Sequence, residues 1–369
     1  MRIAILGTRG IPNNYGGFEQ CAEYLALGFV KMGFKVIVYN SHDHPYKESS
    51  WEGVEISHRY DPEFKWGTAG QFIYDLNCIM DLRRRDIDVV LQLGYTSSSI
   101  WGWLLPRKRM VVTTNMDGLE WKRSKYSNLV KKFLLYAERL AVKYSDHLIA
   151  DSIGIRDYLK EKYNKTSVFI PYGANLFQNP NQTALQEYQL SPYAYNMLIA
   201  RLEPENSIEV ILDGVVLSNN KQTFLVIGGH QTKYGEYLKS KFSKQENIKF
   251  IGGIYDINKL NNLRYYSNLY FHGHTVGGTN PSLLEAMASN SLICANDNPF
   301  NGYILGADAL YFLTAQDVAD HIIKVDKTDP SNDRFLKNNM QKIKDIYSWD
   351  KIINEYADHL KDILPDNIN

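Results

Sequence analysis

Apolar residues in this chain gather in short runs, and between the runs they recur every three or four positions. Ile3-Ala4-Ile5-Leu6 reads as a first buried strand, ending at Gly7-Thr8-Arg9-Gly10. Cys21, Leu25, Ala26, Phe29 and Val30 then share one helical face, Gly33 stops that helix, and Lys35-Val36-Ile37-Val38-Tyr39 is a second strand. The opening segment is therefore expected to be one β-α-β unit. Similar strands are expected at 89–93, 110–114 and 147–150, and a second series at 195–200, 224–229, 248–252 and 269–272.

Strands alternating with helices predict an α/β protein with doubly wound parallel sheets. Two such series, separated by a polar Asn- and Gln-rich stretch, predict two facing Rossmann-like domains with an interdomain cleft. The expected boundaries are 1–175, a hinge region over 176–194, and 195–348. A last helix over 349–369 follows from the spacing of Trp349, Ile352, Ile353, Tyr356 and Leu360, and is expected to pack back across the domains. In open sheets of this kind ligands bind beyond the carboxyl ends of strands, so the segments after each strand carry the candidate chemistry.

After the 269–272 strand, Val276-Gly277-Gly278-Thr279-Asn280-Pro281-Ser282 leads into Leu283-Leu284-Glu285-Ala286-Met287-Ala288. Thr279 or Asn280 can cap this helix, and Pro281 suits its first turn. Free amides and the helix dipole at such an end attract a diphosphate, which makes Gly278, Thr279, Asn280 and Ser282 candidate donors to it. Glu285, one turn in, can accept hydrogen bonds from ribose or sugar hydroxyls. The bland alternative is an ordinary loop-to-helix junction.

Ala200-Arg201-Leu202-Glu203-Pro204-Glu205-Asn206 follows the first strand of the second series. Arg201 can hold phosphate bidentately with Asn206 adding neutral donors, or it can pair with Glu203 or Glu205 at the surface. In the first series, Gly16 and Gly17 open a helix and permit close backbone approach to a ligand. Asp117, Glu120 and Trp121 follow the 110–114 strand, where carboxylates can bind acceptor hydroxyls and an indole face can cover sugar carbons. Asp117 can orient the acceptor hydroxyl or assist its deprotonation, or it can simply start a turn. His272 and His274 can donate to phosphate or sugar.

Dinucleotide binding is disfavoured, because Gly7-Thr8-Arg9-Gly10 lacks the tight glycine spacing and no acidic residue ends the second strand. His42-Asp43-His44, His272-Gly273-His274 and Asp86-Ile87-Asp88 lack the spacing of a metal site, so no metal and no separate cofactor are expected.

Several of these motifs in order resemble family four of the GT-B glycosyltransferases, in which a glutamate, seven residues and a second glutamate mark the donor site. Glu285 takes the second position and Gly277 the first; Arg201 matches the family's diphosphate arginine, and Asn206 stands where its lysine would be. The set Gly7-Thr8-Arg9-Gly10-Ile11-Pro12, Tyr15-Gly16-Gly17-Phe18-Glu19, Asp117-Gly118-Leu119-Glu120-Trp121 and Gly277-Gly278-Thr279-Asn280-Pro281-Ser282 looks more specifically like a bacterial rhamnosyltransferase-like subgroup of polysaccharide assembly. The resemblance implies a GT-B fold and transfer, with retention, of a sugar to a saccharide acceptor that can be lipid-linked. L-rhamnose from a dTDP donor is the implied sugar, and Asp117, Arg201 and Glu285 are the implied catalytic residues. A sugar-nucleotide epimerase of the same fold and a non-catalytic nucleotide-sugar-binding assembly protein remain alternatives.

Composition changes this picture little. The chain of 369 residues carries 41 basic and 41 acidic side chains, so no overall field favours nucleic acid. Three dispersed cysteines suggest a reducing, cytoplasmic setting, and the first apolar run is too short for a signal peptide. Locally, however, Trp101 to Arg109 and Trp121 to Lys143 are basic and aromatic, which suits anionic lipid at the inner face of a membrane. An ordinary solvated helix face is the alternative reading.

Overall fold

The computed structural model describes residues 1–123 and 126–364, and the chain divides into two compact units. The first contains Met1–Lys122, Tyr126–Tyr172 and the chain from Trp349 onward; the second contains Gly173–Ser348 together with Arg123.

The first unit is built on an 8-stranded sheet of β1 (Arg2–Leu6), β2 (Lys35–Ser41), β3 (Ser50–Trp51), β4 (Val54–Arg59), β5 (Val89–Leu93), β6 (Val111–Asn115), β7 (His147–Ala150) and β8 (Val168–Phe169). The order is β3-β4-β2-β1-β5-β6-β7-β8, and every pairing is parallel except β3 with β4. Runs such as Val89-Val90-Leu91 are buried on both faces because helices cover both sides of a parallel sheet. The Gly17–Lys31 helix buries the expected Cys21, Leu25, Ala26 and Phe29.

The last helix, Trp349–Asp362, belongs to this first unit. Trp349, Ile352, Tyr356 and Leu360 are buried at helical spacing, and Trp349 stacks on Tyr24 with ring centroids 4.3 Å apart. A Cβ on Gly28 would lie 2.4 Å from Ile353, so the glycine admits the helix at close range. Asn115 donates to the Tyr356 hydroxyl at 2.9 Å, and Thr113 bonds His359 at 2.9 Å. These buried polar contacts fix the helix against β6 more specifically than apolar packing alone.

The second unit holds a 6-stranded parallel sheet of β9 (Tyr195–Ile199), β10 (Thr223–Ile227), β11 (Ile248–Gly252), β12 (Tyr270–His272), β13 (Ile293–Asn296) and β14 (Leu310–Phe312). Its order, β11-β10-β9-β12-β13-β14, is the 3-2-1-4-5-6 order of a Rossmann sheet. The core joins Leu198, Val226, Phe271 and Cys294 of the strands to Ile211, Val215 and Val318 of the helices.

The segment expected as a hinge is structured instead. A 3₁₀ helix, Gln182–Tyr188, buries Leu185, and the Asn262 side chain accepts from the amide of Asn181 at 2.7 Å, so 176–194 is part of the second unit. Its single buried leucine among Asn and Gln residues gives no periodic signal.

Candidate functional site

In the second unit the chain runs from β9 outward through β10 and β11, and from β12 the other way through β13 and β14. Loops leaving the carboxyl ends of β9 and β12 therefore diverge, and this switch point is where open sheets bind ligands. The 201–206 loop leaves β9 and the 273–280 loop leaves β12.

These two loops are bonded to each other. Thr275 donates to the Glu205 carbonyl through both its amide (3.0 Å) and its hydroxyl (2.8 Å). A Cβ on Gly273 would sit 2.0 Å from the Asn206 carbonyl oxygen, a contact only glycine allows. A third loop braces the second, since Asn298 and Asn301 donate to the His274 carbonyl at 2.9 and 3.1 Å. Asn206 is buried and its amide donates to the Arg201 carbonyl at 2.7 Å. It therefore closes the 201–206 turn, where the sequence suggested a donor to phosphate. The Arg201 guanidinium is exposed and forms no ion pair among the described residues, so Glu203 and Glu205 do not hold it.

The Pro281–Ala288 helix is capped by Asn280, whose side chain accepts from the Ser282 amide at 2.9 Å, and the Leu283 amide donates to the Asn280 carbonyl at 3.0 Å. The first-turn amides, expected to point outward, are thus satisfied within the chain. Among the described residues the amides of Gly277, Gly278 and Asn280 in the preceding loop have no partner, and they and the helix dipole are what remain to attract an anion. Thr279 is buried beside them. Gly277 has φ +143°, a conformation that L residues rarely adopt, so the loop path itself disfavours a glutamate there.

Glu285 faces an arginine that the sequence reading missed. Arg264, on the Ile257–Tyr266 helix, is 1% exposed and places Nη2 2.6 Å from Glu285 Oε2 and 3.3 Å from Ser282 Oγ. Its Nη1 donates to Asn261 at 2.9 Å, and the Tyr270 hydroxyl lies 2.9 Å from the same Ser282 Oγ. Ser282 therefore turns its hydroxyl inward, a correction to its expected role as a donor to phosphate. The available signal was Arg264 itself, a charge lying in the apolar stripe of Leu260 and Leu263.

His272 ends β12 fully buried, and neither of its ring nitrogens has a partner among the described residues. Its ring lies between those of Tyr270 and His274, with centroids 6.5 and 4.4 Å away and interplanar angles of 21° and 14°. Burial pushes the His272 pKa well below the usual histidine range. Burial also lowers His274 to about 4, with the charges of Arg123 and Arg201 adding to the effect. Both imidazoles are neutral at pH 7, so they can hydrogen-bond a ligand but cannot balance phosphate charge.

The first unit has its own switch point between β1 and β5. The loop after β1 is pinned at several points. Asn40 exchanges two hydrogen bonds with Ile11 (3.1 and 2.7 Å), and buried Glu19 accepts from the Arg9 amide at 2.9 Å. The Arg9 guanidinium binds Glu63 through two nitrogens, at 2.9 and 2.7 Å, and covers the Tyr15 ring at 3.9 Å. Gly16 is the N-cap residue of the Gly17–Lys31 helix.

Asp117 and Glu120 stand after β6. Asp117 has φ +50° and its amide donates to the Asn115 side chain at 2.9 Å, so it is a turn residue in backbone terms. Trp121 corrects the expectation of an indole presented to a sugar. Its Nε1 donates to buried Glu138 at 3.2 Å and its ring packs against the core around Leu134's helix. Glu138 also accepts from Tyr158 (2.8 Å), Tyr163 (2.5 Å) and Lys162 (2.9 Å), a structural centre that explains how a carboxylate is buried there. Asp86 and Asp88 both pair with Arg2, and among the described residues no three His, Cys, Asp or Glu side chains form a group able to hold a metal ion. The three cysteines are free and buried.

The chain as a whole has counterparts among known structures. It is similar to a sucrose-phosphate synthase from Thermosynechococcus elongatus (17% identity, TM-score 0.79, 98% of each chain covered). It is similar also to Anabaena HepE in complex with UDP and glucose (15%, TM-score 0.79, 98% of this chain and 100% of that one). A third is a glycosyltransferase from Rickettsia africae (14%, TM-score 0.74, 99% of each). The fold is GT-B, two Rossmann-like units in one chain. Residues 190–342 match the family described as Glycosyl transferases group 1, and residues 1–175 match a domain of unknown function (DUF1972). The second unit is accordingly a group 1 glycosyltransferase domain. No curated protein sequence matches the chain.

Proposed function

We propose that this protein transfers a sugar, L-rhamnose from a dTDP donor, to a hydroxyl of a saccharide acceptor in cell-surface polysaccharide synthesis. The observation that carries the donor half is the pair of mutually bonded loops at the β9–β12 switch point, with an exposed Arg201 on one and the Gly277, Gly278 and Asn280 amides on the other. The complex of the similar Anabaena protein with UDP and glucose supports a nucleotide-sugar ligand for this kind of unit. Rhamnose and the thymidine nucleotide rest on the resemblance of the ordered motifs.

In the reaction, the acceptor oxygen bonds to the anomeric carbon while the bond from that carbon to the β-phosphate oxygen breaks. The acceptor proton passes to the departing phosphate, which suits retention and requires no separate base. Negative charge grows on the diphosphate, and Arg201 with the loop amides stabilises it, the kind of electrostatic term that dominates such steps. Neutral His272 and His274 supply hydrogen bonds without competing for the proton.

The test is a panel of nucleotide sugars incubated with and without a membrane saccharide-lipid extract, read as nucleoside diphosphate release and labelled product. Acceptor-dependent release, greatest with dTDP-L-rhamnose, is expected. Acceptor-independent release or sugar interconversion identifies the epimerase alternative, and no release with any donor overturns transfer.

A further inference from the structure

The Asn128–Tyr144 helix of the first unit is amphipathic in an unusual sense. Leu134, Ala137, Glu138, Ala141 and Val142 face inward, with Glu138 neutralised by its internal partners. The opposite stripe, at helical spacing, reads Leu129, Lys132, Tyr136, Arg139 and Lys143, all exposed. Leu129 is 81% exposed and Tyr136 54%, so this stripe combines apolar and basic side chains.

A second element extends this stripe. The 3₁₀ helix Ser98–Leu104 packs against the Asn128–Tyr144 helix, and a Cβ on Gly102 would lie 2.7 Å from Tyr144. That contact sets Trp103, 63% exposed, beside the Lys143 end of the helix. Exposed Lys108 and Arg109 follow in the next turn. Of the tryptophans whose sequence context suggested lipid, Trp101 donates to the Phe72 carbonyl at 2.8 Å and Trp121 to Glu138, so only Trp103 among these three is presented outward.

We propose that this face docks on an anionic lipid bilayer, with Leu129, Tyr136 and Trp103 entering the interface and Lys132, Arg139, Lys143 and Lys108 meeting lipid phosphates. The chain as a whole carries equal numbers of acidic and basic groups, so this stripe, which has no exposed acid on its helix, is a local charge feature. Each basic side chain near such a surface adds attraction to anionic lipid, and an aromatic anchor adds apolar burial. Basic residues alone would suit nucleic acid equally; exposed Leu129 and Val130 at the start of the helix and Trp103 near its other end favour a bilayer over a polyanion. The proposal does not depend on the transfer reaction. It provides a route to a lipid-linked acceptor if that reaction holds.

The experiment is sedimentation of the full chain with phosphatidylcholine vesicles and with phosphatidylcholine–phosphatidylglycerol vesicles, at low and high salt. Binding to the anionic vesicles only, released by salt, is expected. Lys132→Glu/Arg139→Glu/Lys143→Glu should abolish it, and Leu129→Ser/Trp103→Ser should reduce it about tenfold or more while leaving the thermal midpoint unchanged. All altered side chains are exposed, and far-UV circular dichroism checks that each variant is folded. Equal binding by the charge variant, no binding to anionic vesicles, or binding to a DNA duplex in place of vesicles would each overturn the proposal.

Discussion

Nη2 of buried Arg264 lies 2.6 Å from Oε2 of Glu285, which makes the motif glutamate the counter-ion of a guanidinium withdrawn from water. The ion pair joins the helix before β12 to the helix after it, and through Ser282 and Tyr270 it fixes where the capped helix begins. Glu285 therefore helps position the start of the Pro281–Ala288 helix and the 273–280 loop that leads into it.

Removing the carboxylate should then destabilise the fold. Glu285→Ala leaves Arg264 charged and uncompensated, a loss of roughly 3 kcal/mol in urea denaturation, since breaking one side of a buried pair costs more than the pair is worth. A loss below about 0.5 kcal/mol, the size of an ordinary surface change, would mean that the pair is not buried in solution.

Restoring the family carboxylate should fail. Gly277→Glu puts a β-carbon on a backbone at φ +143°, at a strain of roughly 1 to 3 kcal/mol. The variant should be less stable and should not lower the donor KM. A stable variant with tighter donor use would show that the loop tolerates, and lacks only, the carboxylate.

A pH dependence follows from His359. Burial, with His147 nearby, lowers its pKa to about 4. Between pH 6.5 and 4 the unfolded chain takes up a proton that the folded chain does not, so this residue makes stability fall as pH drops through that window. His359→Gln removes the effect while losing the Thr113 bond at every pH. The stability deficit of the variant at pH 8 should shrink by roughly 2 kcal/mol at pH 5. A deficit that is constant with pH would contradict a buried neutral imidazole. The difference between proteins is needed because Asp75, raised by burial to about 7, pulls the wild-type curve the other way, losing stability as pH rises toward 7.

Much of the architecture was legible because parallel strands buried on both faces write themselves as apolar runs; 89–93, 147–150 and 248–252 coincide with β5, β7 and β11. Ile293-Cys294-Ala295-Asn296 and Leu310-Tyr311-Phe312 are too short and too mixed to stand out, so β13 and β14 were not anticipated. The motif loops were legible as local chemistry. What each side chain touches was not: Asn206 closes a turn on the Arg201 carbonyl, whereas Ser282 faces Arg264 and Trp121 serves Glu138, partners 18 and 17 residues away.

The central claim is that the 201–206 and 277–280 loops hold the donor diphosphate, and calorimetric titration of dTDP and UDP into the wild type and Arg201→Ala tests it most directly. Arg201 makes no ion pair among the described residues, so its removal should leave stability unchanged and weaken nucleoside diphosphate binding by about 1.5 to 3 kcal/mol, roughly ten- to a hundredfold. Equal affinity of the two proteins for both nucleotides would contradict the account.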